Sequence, residues 1–275
     1  MLLDAFRLDG RTAIVTGAGK GIGYAIAESF AEMGANVVCA ARTEADLEAV
    51  ADRARELGAA ALPVVCDVMQ EDQLQHLVDR TLEHFGGIDL LINNAGGGGR
   101  GYGPVDKVGM SDFEDSLRMN LSSAYTLVHL AVPHLRKSSK AAVVNVSSAM
   151  SWMVDRNMAA YGAAKAGMEQ MTRILAHELA PSIRVNAVAP GAVDTPAAAF
   201  LKSDPGLLAE TISWIPMRRL GDPIDLALSV LYLASDASNF ITGKILEVDG
   251  GMQALPGNAI YAELASRKNA GNGKE

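Results

Sequence analysis

Cysteine, aromatic side chains and positive charge are all in short supply in this sequence of 275 residues. The two cysteines, Cys39 and Cys66, lie in apolar runs, where buried free thiols are common. They cannot supply a disulfide framework, so a reducing, cytoplasmic setting is expected. Aromatics make up 5% of the chain, and 24 basic residues face 32 acidic ones, a formal charge of −8. That balance argues against a general nucleic-acid binder and against an anionic-membrane binder. No run of about 18 uncharged apolar residues is present to span a bilayer. Met1–Gly10 carries Asp4 and Asp9 and no long apolar core, so no signal peptide is expected. The five histidines, His76, His84, His129, His134 and His177, form no ligand cluster, and no metal is expected. What is plentiful is apolar residue, 49% of the chain against 20% charged. A chain of this length and composition is read as one domain that buries roughly three quarters of its unfolded surface.

Short β-rich runs alternate with longer helical stretches. Thr12–Thr16, Asn36–Ala41, Ala61–Cys66, Asp89–Asn93, Ala141–Ser147, Arg184–Ala189 and Ile245–Val248 read as seven strands. Most are continuous Val/Ile/Leu/Ala runs, as expected for parallel strands covered on both faces. Ile22–Met33, Ala45–Leu57, Asp72–Phe85, Ala124–Leu135, Tyr161–Leu179 and Pro223–Ala234 read as helices, with Gly34, Gly58 and Gly86 at C-cap positions. The expected fold is α/β: a Rossmann-type, doubly wound, seven-stranded parallel sheet with helices on both faces, in a single domain over 1–251. Two regions break the rhythm. Gly96–Gly103 is too glycine-rich for regular structure. Residues 192–217, punctuated by Pro196, Pro205 and Pro216, are read as a lid over a crevice, the alternative being a long surface loop.

The first strand runs into Thr16-Gly17-Ala18-Gly19-Lys20-Gly21-Ile22-Gly23 and then a helix. The G-x-G-x-x-G spacing fails: counted from Gly17 it lands on Ile22, from Gly19 on Tyr24, from Gly21 on Ile26. A Walker loop fails too, because Gly21 follows Lys20. A glycine-rich strand–turn–helix still lets a backbone approach a pyrophosphate at a helix N-terminus; the alternative is a purely structural turn. At the end of the second strand, Ala41 stands where an NAD site usually places a carboxylate, and Arg42 follows. A guanidinium there suits a 2′-phosphate, and Lys20 adds a second positive charge. NADP(H) is therefore expected in preference to NAD(H), with NAD(H) left open.

Tyr161 and Lys165 stand four residues apart, on one face of a helix. Ser147 and Ser148 end the fifth strand, at the carboxyl edge where α/β sheets bind ligands. A free phenol titrates near pH 10, too high for an efficient base. A nearby ammonium and a positively charged nicotinamide are expected to lower it. With these motifs in order from about Arg11 to Gly251, the chain resembles the short-chain dehydrogenase/reductase family. Thr16–Gly23 resembles its glycine turn, which implies cofactor contacts from Gly17, Gly19, Lys20, Gly21, Ile22 and Gly23, with Arg42 beyond them. Asn93-Asn94-Ala95-Gly96 resembles its N-N-A-G stretch, with Asn94, Ala95 and Gly96 at the cofactor; Asp67-Val68 resembles the pair near the adenine. Pro190-Gly191, with Thr195 soon after, resembles the family's segment that contacts the nicotinamide carboxamide, which implies cofactor contacts from Pro190, Gly191, Val193 and Thr195. The resemblance selects Ser148 over Ser147 and implies a catalytic set of Asn120, Ser148, Tyr161 and Lys165. Tyr161 would exchange a proton with the alcohol or carbonyl, and Ser148 would hold that oxygen. Lys165 would bind the nicotinamide ribose, and Asn120 would anchor a proton-relaying water.

The substrate is less well marked. Met150, Met153, Met158, Ala192, Phe200 and Trp214 are candidate walls of a broad apolar pocket, although ordinary packing gives the same pattern. The glycine run from Asn94 and Arg219-Leu220-Gly221 are similar to bacterial hydroxysteroid dehydrogenases, particularly the 7α type, which implies a bulky apolar secondary alcohol or ketone such as a steroid. A 3-oxoacyl-thioester reductase is the alternative, with Arg218 and Arg219 as its few docking cations. A non-catalytic nucleotide-binding sensor or scaffold is a third reading. The family's common homotetramer would be built on Ala124–Leu135 and Tyr161–Leu179. Residues 252–275 form a C-terminal extension, with Leu255, Ile260, Tyr261 and Leu264 placed to dock and Asn269–Glu275 expected to be disordered.

Overall fold

Strands of Val, Ile, Leu and Ala with both faces apolar need cover on both sides, and most of the seven strands that line up here are of that kind. The computed structural model describes residues 2–252, so the calls on Leu255, Ile260, Tyr261, Leu264 and Asn269–Glu275 lie outside the described residues. The strands are β1 (Thr12–Thr16), β2 (Asn36–Ala41), β3 (Ala61–Val65), β4 (Leu90–Asn93), β5 (Ala141–Val146), β6 (Ile183–Pro190) and β7 (Ile245–Val248). All pair in parallel, in the order β3-β2-β1-β4-β5-β6-β7. The seven expected strands are thus found, with ends shifted by a residue at most.

Helices α1 (Gly21–Glu32), α2 (Glu44–Glu56), α3 (Glu71–Phe85), α4 (Met110–Leu117), α5 (Ser123–Leu135), α6 (Ala159–Leu179), α7 (Ala199–Ser203), α8 (Pro205–Trp214) and α9 (Pro223–Ala234) lie between the strands. Phe30, Leu47 and Val230 from α1, α2 and α9 pack with Val15, Val37 and Ile92 on one face of the sheet. Leu74, Leu127 and Leu175 from α3, α5 and α6 pack with Ile14, Leu91 and Val143 on the other. The pleat of β1 sends Ala13 and Val15 to the first layer and Ile14 to the second. Gly86 closes α3 in the left-handed conformation, φ 78°, as its sequence position implied.

Two regions differ from the sequence reading. Residues 192–217, read as a lid with a long surface loop as the alternative and with no helix assigned, hold α7 and α8. Pro205 starts a helix instead of interrupting one: it takes the first turn of α8, where its missing N–H costs nothing, and Asp204 Oδ1 accepts from Gly206 N at 2.9 Å and Leu207 N at 3.1 Å. The other addition is α4, followed by one π-helical turn over Arg118–Ser122. Strand order reverses between β1 and β4, and a crevice opens beyond their carboxyl ends.

Candidate active site

The glycine turn follows β1, and α1 begins at Gly21 with no side-chain cap from Lys20, so its first N–H groups are left for another acceptor. A Cβ on Gly23 would lie 2.1 Å from Gly17 O and 2.5 Å from Asn94 Nδ2, so nothing larger than glycine fits. Asn94 Nδ2 donates to Thr16 O at 2.8 Å and Gly17 O at 3.2 Å. Thr16 Oγ1 donates to Ile92 O at 3.2 Å and accepts from Asn94 N and Ala95 N, both at 3.0 Å. The ends of β1 and β4 are thereby sewn together beneath a bare backbone surface. That cradle, open N–H groups above close-packed glycines, fits a dinucleotide pyrophosphate.

Beside it lies a cavity of about 230 Å³, lined by Gly19, Lys20, Arg42, Asp67, Val68 and Met119 among others. Lys20 Nζ stands 3.0 Å from Asp46 Oδ2, so the second positive charge expected here is already met by a carboxylate. Arg42 is exposed at the same cavity, with no ion pair to a carboxylate among the described residues. Among the described residues, no group of three His, Cys, Asp or Glu could hold a metal ion.

Tyr161 opens α6, and its hydroxyl is hydrogen-bonded to Ser148 at the end of β5. Ser148 Oγ also accepts from Met150 N at 3.2 Å, which fixes the serine rotamer in the turn it caps. Lys165, one turn deeper in α6 and 2% exposed, donates from Nζ to Val146 O at 2.8 Å and lies 5.7 Å from the Tyr161 ring centroid. Asn120 sits in the π turn, a distortion frequent at functional sites. Its Nδ2 donates to Gly97 O at 2.8 Å and Ser116 O at 3.0 Å, while Oδ1 accepts from Gly97 N at 2.9 Å. A Cβ on Gly96 would meet Asn120 Oδ1 at 2.8 Å and Lys165 Nζ at 3.3 Å, so that glycine lies directly against both.

Burial pushes the Tyr161 phenol above its usual range, and the Ser148 hydrogen bond pulls against that rise. The net direction is upward, so the expected fall in this phenol is not produced by the chain's own groups. Burial also brings Lys165 down to about 8. Both shifts have one cause: a dry site disfavours the charged form of each group.

The main cleft, about 780 Å³, joins the glycine turn to this set. Gly17, Lys20, Gly21, Ile22, Gly23, Asn94, Ala95, Gly96, Ser148, Tyr161, Lys165, Pro190, Gly191, Val193 and Thr195 line it, with Met158, Ala192 and Phe200 on the substrate side. Met150, Met153 and Trp214 are not among its walls; Trp214 is 42% exposed at the end of α8. Asn120 is fully buried behind Gly97 rather than in the wall. Sequence reasoning missed Tyr102, which does line the cleft, as does Leu201 from the proposed lid. The Tyr102 ring meets the Tyr161 ring edge-on, centroids 5.6 Å apart at 85°, and lies where a Cβ on Gly98 would be, 1.8 Å from its Cζ. A lone tyrosine inside a glycine run was the available signal. Burial and the neighbouring Tyr161 push the Tyr102 phenol up to about 12.

A family model described as enoyl-(acyl carrier protein) reductase matches residues 17–253. An uncharacterized oxidoreductase of Mycobacterium tuberculosis is 41% identical over 92% of this chain and 95% of its own length. The 7α-hydroxysteroid dehydrogenase of Escherichia coli K12 is 38% identical over 90% of this chain and 96% of its own. The 3-oxoacyl-[acyl-carrier-protein] reductase of Thermotoga maritima is 35% identical over 90% and 99%. Among solved structures, a 7α-hydroxysteroid dehydrogenase complexed with NADH and 7-oxo glycochenodeoxycholic acid matches with a TM-score of 0.86 and 37% identity, over 90% of this chain and 96% of that one. A structure from Beutenbergia cavernae with NADP at low occupancy matches with a TM-score of 0.84 and 36% identity, over 91% and 100%.

Proposed function

The chain belongs to the short-chain dehydrogenase/reductase family, whose members act on alcohols and ketones with NAD(P)(H), and from that premise we propose that it interconverts a bulky apolar secondary alcohol, such as a hydroxysteroid, and the corresponding ketone, preferring NADP(H). The observation that carries the reading is the hydrogen-bonded Ser148–Tyr161 pair, which opens onto a cleft of about 780 Å³ walled by Met158, Phe200 and Leu201. When bound, the nicotinamide supplies or accepts the hydride.

The chain's own residues do the rest. Gly17, Gly21 and Gly23 leave room for the pyrophosphate, and the open N–H groups of α1 meet its charge. Ser148 Oγ holds the substrate oxygen. Tyr161, neutral because its site is dry, donates its proton to that oxygen in reduction and takes one back in oxidation. The Lys165 ammonium favours the phenolate that each turnover creates and would hold the nicotinamide ribose. Asn120, through Gly97, fixes the floor where a relay water to solvent would sit. NADP(H) preference rests on Arg42, since Lys20 is engaged by Asp46. Assembly as a homotetramer through α5 and α6 is supported by Tyr125 and Ile174, 54% and 48% exposed on those helices. A cytoplasmic setting is supported by Cys39 and Cys66, both free and buried; no helix among the described residues is long and apolar enough to cross a membrane. The domain is read as 1–251, with the substrate lid over 192–217.

A 3-oxoacyl-thioester reductase is supported by the Thermotoga relative, but Arg219 Nη1 is held by Asp225 Oδ2 at 2.7 Å, which removes one of its docking cations. A non-catalytic sensor would need no hydrogen-bonded Ser–Tyr pair. The reading is tested by following NADPH and NADH oxidation with 7-oxo glycochenodeoxycholic acid, cyclohexanone and acetoacetyl-CoA. Highest kcat/KM for the steroid with NADPH is expected; a preference for the thioester transfers the protein to the second reading.

A further inference from the structure

Glu169 is a carboxylate that the reaction does not use, yet it is buried, 7% exposed, directly beneath the serine turn. It stands on the face of α6 that carries Tyr161 and Lys165, one four-residue step further along the helix. Its Oε1 accepts from Ser147 Oγ at 3.1 Å and, in a shorter bond, from Ser151 Oγ. Those serines flank Ser148 on both sides. Ser147 Oγ also reaches Lys165 O at 3.4 Å, and Ser151 Oγ reaches Ser148 O at 2.8 Å. Glu169 Oε2 faces Arg173 Nη2 at 3.4 Å, and Glu247 on β7 lies close enough to feel the Glu169 charge. One carboxylate therefore ties the loop that carries Ser148 to the helix that carries Tyr161.

We propose that Glu169 is a positioning residue: it sets the distance between Ser148 Oγ and the Tyr161 hydroxyl by clamping both ends of the Ser147–Ser151 turn onto α6. The inference rests on the functional reading above, in which Ser148 and Tyr161 act together. Without the clamp the two hydroxyls lose their common acceptor, the turn is free to lift from α6, and the Ser148–Tyr161 bond lengthens. That bond lowers the phenol, so its loss moves Tyr161 further upward. The other groups set against the phenol, Lys165 and Tyr102, are not touched by the change. The sign is diagnostic. If Glu169 acted only through its charge, removing a negative group would instead lower the phenol.

The test compares Glu169→Gln, Glu169→Leu, Ser151→Ala and Tyr161→Phe with the unaltered chain. Reduction of 7-oxo glycochenodeoxycholic acid and of cyclohexanone by NADPH is measured, with NADPH affinity by fluorescence and thermal melting as a check on folding. Tyrosinate absorbance is titrated with the Tyr161→Phe trace subtracted, a readout that needs no substrate. In Glu169→Leu, kcat is expected to fall about 10- to 100-fold with KM nearly constant, and the phenol midpoint to rise. Glu169→Gln keeps an acceptor oxygen and is expected to retain kcat within about threefold. Should Glu169→Leu fail to fold, Ser151→Ala removes one arm of the clamp and is expected to reproduce the alkaline shift on a smaller scale. A folded Glu169→Leu with unchanged kcat and midpoint, or a midpoint that falls in both Glu169 variants, overturns the proposal. Full turnover in Tyr161→Phe overturns the functional reading itself, whereas an inactive Tyr161→Phe beside an unimpaired Glu169→Leu overturns only the role of Glu169.

Discussion

The floor of the cleft and its walls are built to different standards. On the floor, Asn120 and Asn145 are fully buried and Lys165 is 2% exposed. Asn93 Nδ2 donates to Asn145 Oδ1 at 2.8 Å, Asn145 Nδ2 to Thr172 Oγ1 at 2.9 Å, and Thr172 Oγ1 to Met168 O at 2.8 Å. This ladder joins β4, β5 and α6 through the protein interior, and an unmade bond in it would cost about 1–3 kcal/mol. The walls are apolar and loosely covered: Tyr102 is 46% exposed and Phe200 62%. A proton relay needs atoms held to fractions of an ångström, whereas selection of an apolar body needs only surface and volume. Damage to the floor should therefore cost turnover, and damage to the walls should cost choice of substrate.

The largest expected effect is on the floor. Tyr161→Phe keeps the ring and its packing against Tyr102 but removes the proposed acid. A fall in kcat of about 10²–10⁴-fold is expected, with NADPH affinity close to that of the parent chain. Steady-state kinetics and a fluorescence titration decide it; a loss confined to KM would place Tyr161 in the wall instead.

Next in size is the pH dependence, about tenfold per pH unit beyond its turning point. Burial lowers Lys165 to about 8, so the ammonium is present below that pH and lost above it. Tyr161 is held above its usual range and keeps its proton through neutrality. On the proposed mechanism reduction needs the protonated phenol and the ammonium, so its rate is expected to be level to about pH 8 and to fall beyond. Oxidation needs the phenolate, which a phenol held above its usual range yields only in strongly alkaline solution. Its rise is therefore expected at higher pH than the fall in reduction. Profiles that run in parallel in the two directions would break the assignment.

What could be read in advance divides along the same line. Strands, their parallel pairing and the glycine turn were legible because continuous apolar runs and a Tyr–Lys pair one helical turn apart are local patterns. Asn120 was found only by resemblance: a π turn leaves no periodicity of its own, and the weak pattern of Met110, Phe113 and Leu117 concealed α4 before it. The walls were read worst. Met150, Met153 and Trp214 looked equivalent to Met158 and Phe200 by composition, and only tertiary direction separates those outside the cleft from those that line it. Glycine at 98 looked like mere flexibility; its cause is the Tyr102 ring pressed onto it.

Cofactor choice lies between floor and wall and should show an intermediate effect. Arg42→Ala is expected to raise KM for NADPH about tenfold while leaving NADH nearly untouched, because the proposed guanidinium-to-phosphate bond would be lost in one case only. Asp46→Asn frees Lys20 from its 3.0 Å ion pair and should shift the ratio the opposite way by a smaller factor. Equal losses for the two nucleotides would mean that Arg42 serves the adenine or the fold rather than the 2′-phosphate.

The smallest expected effects belong to the wall, and there the size of the substrate is the variable to change. Phe200→Ala strips an apolar ring from one side of the cleft, and Tyr102→Ala strips one from the other. A ligand as large as a steroid touches both sides; cyclohexanone, resting on Ser148 and Tyr161, reaches neither fully. KM for the steroid ketone is expected to rise about three- to fivefold in each variant, with cyclohexanone changing by less than about twofold. Tyr102→Phe separates ring from hydroxyl: the phenol, pushed up to about 12, is neutral throughout the working range, so a wall role predicts parent-like kinetics. If Tyr102→Ala instead lowers kcat for both substrates alike, its edge-on contact holds Tyr161 in place, and the ring must be counted with the floor.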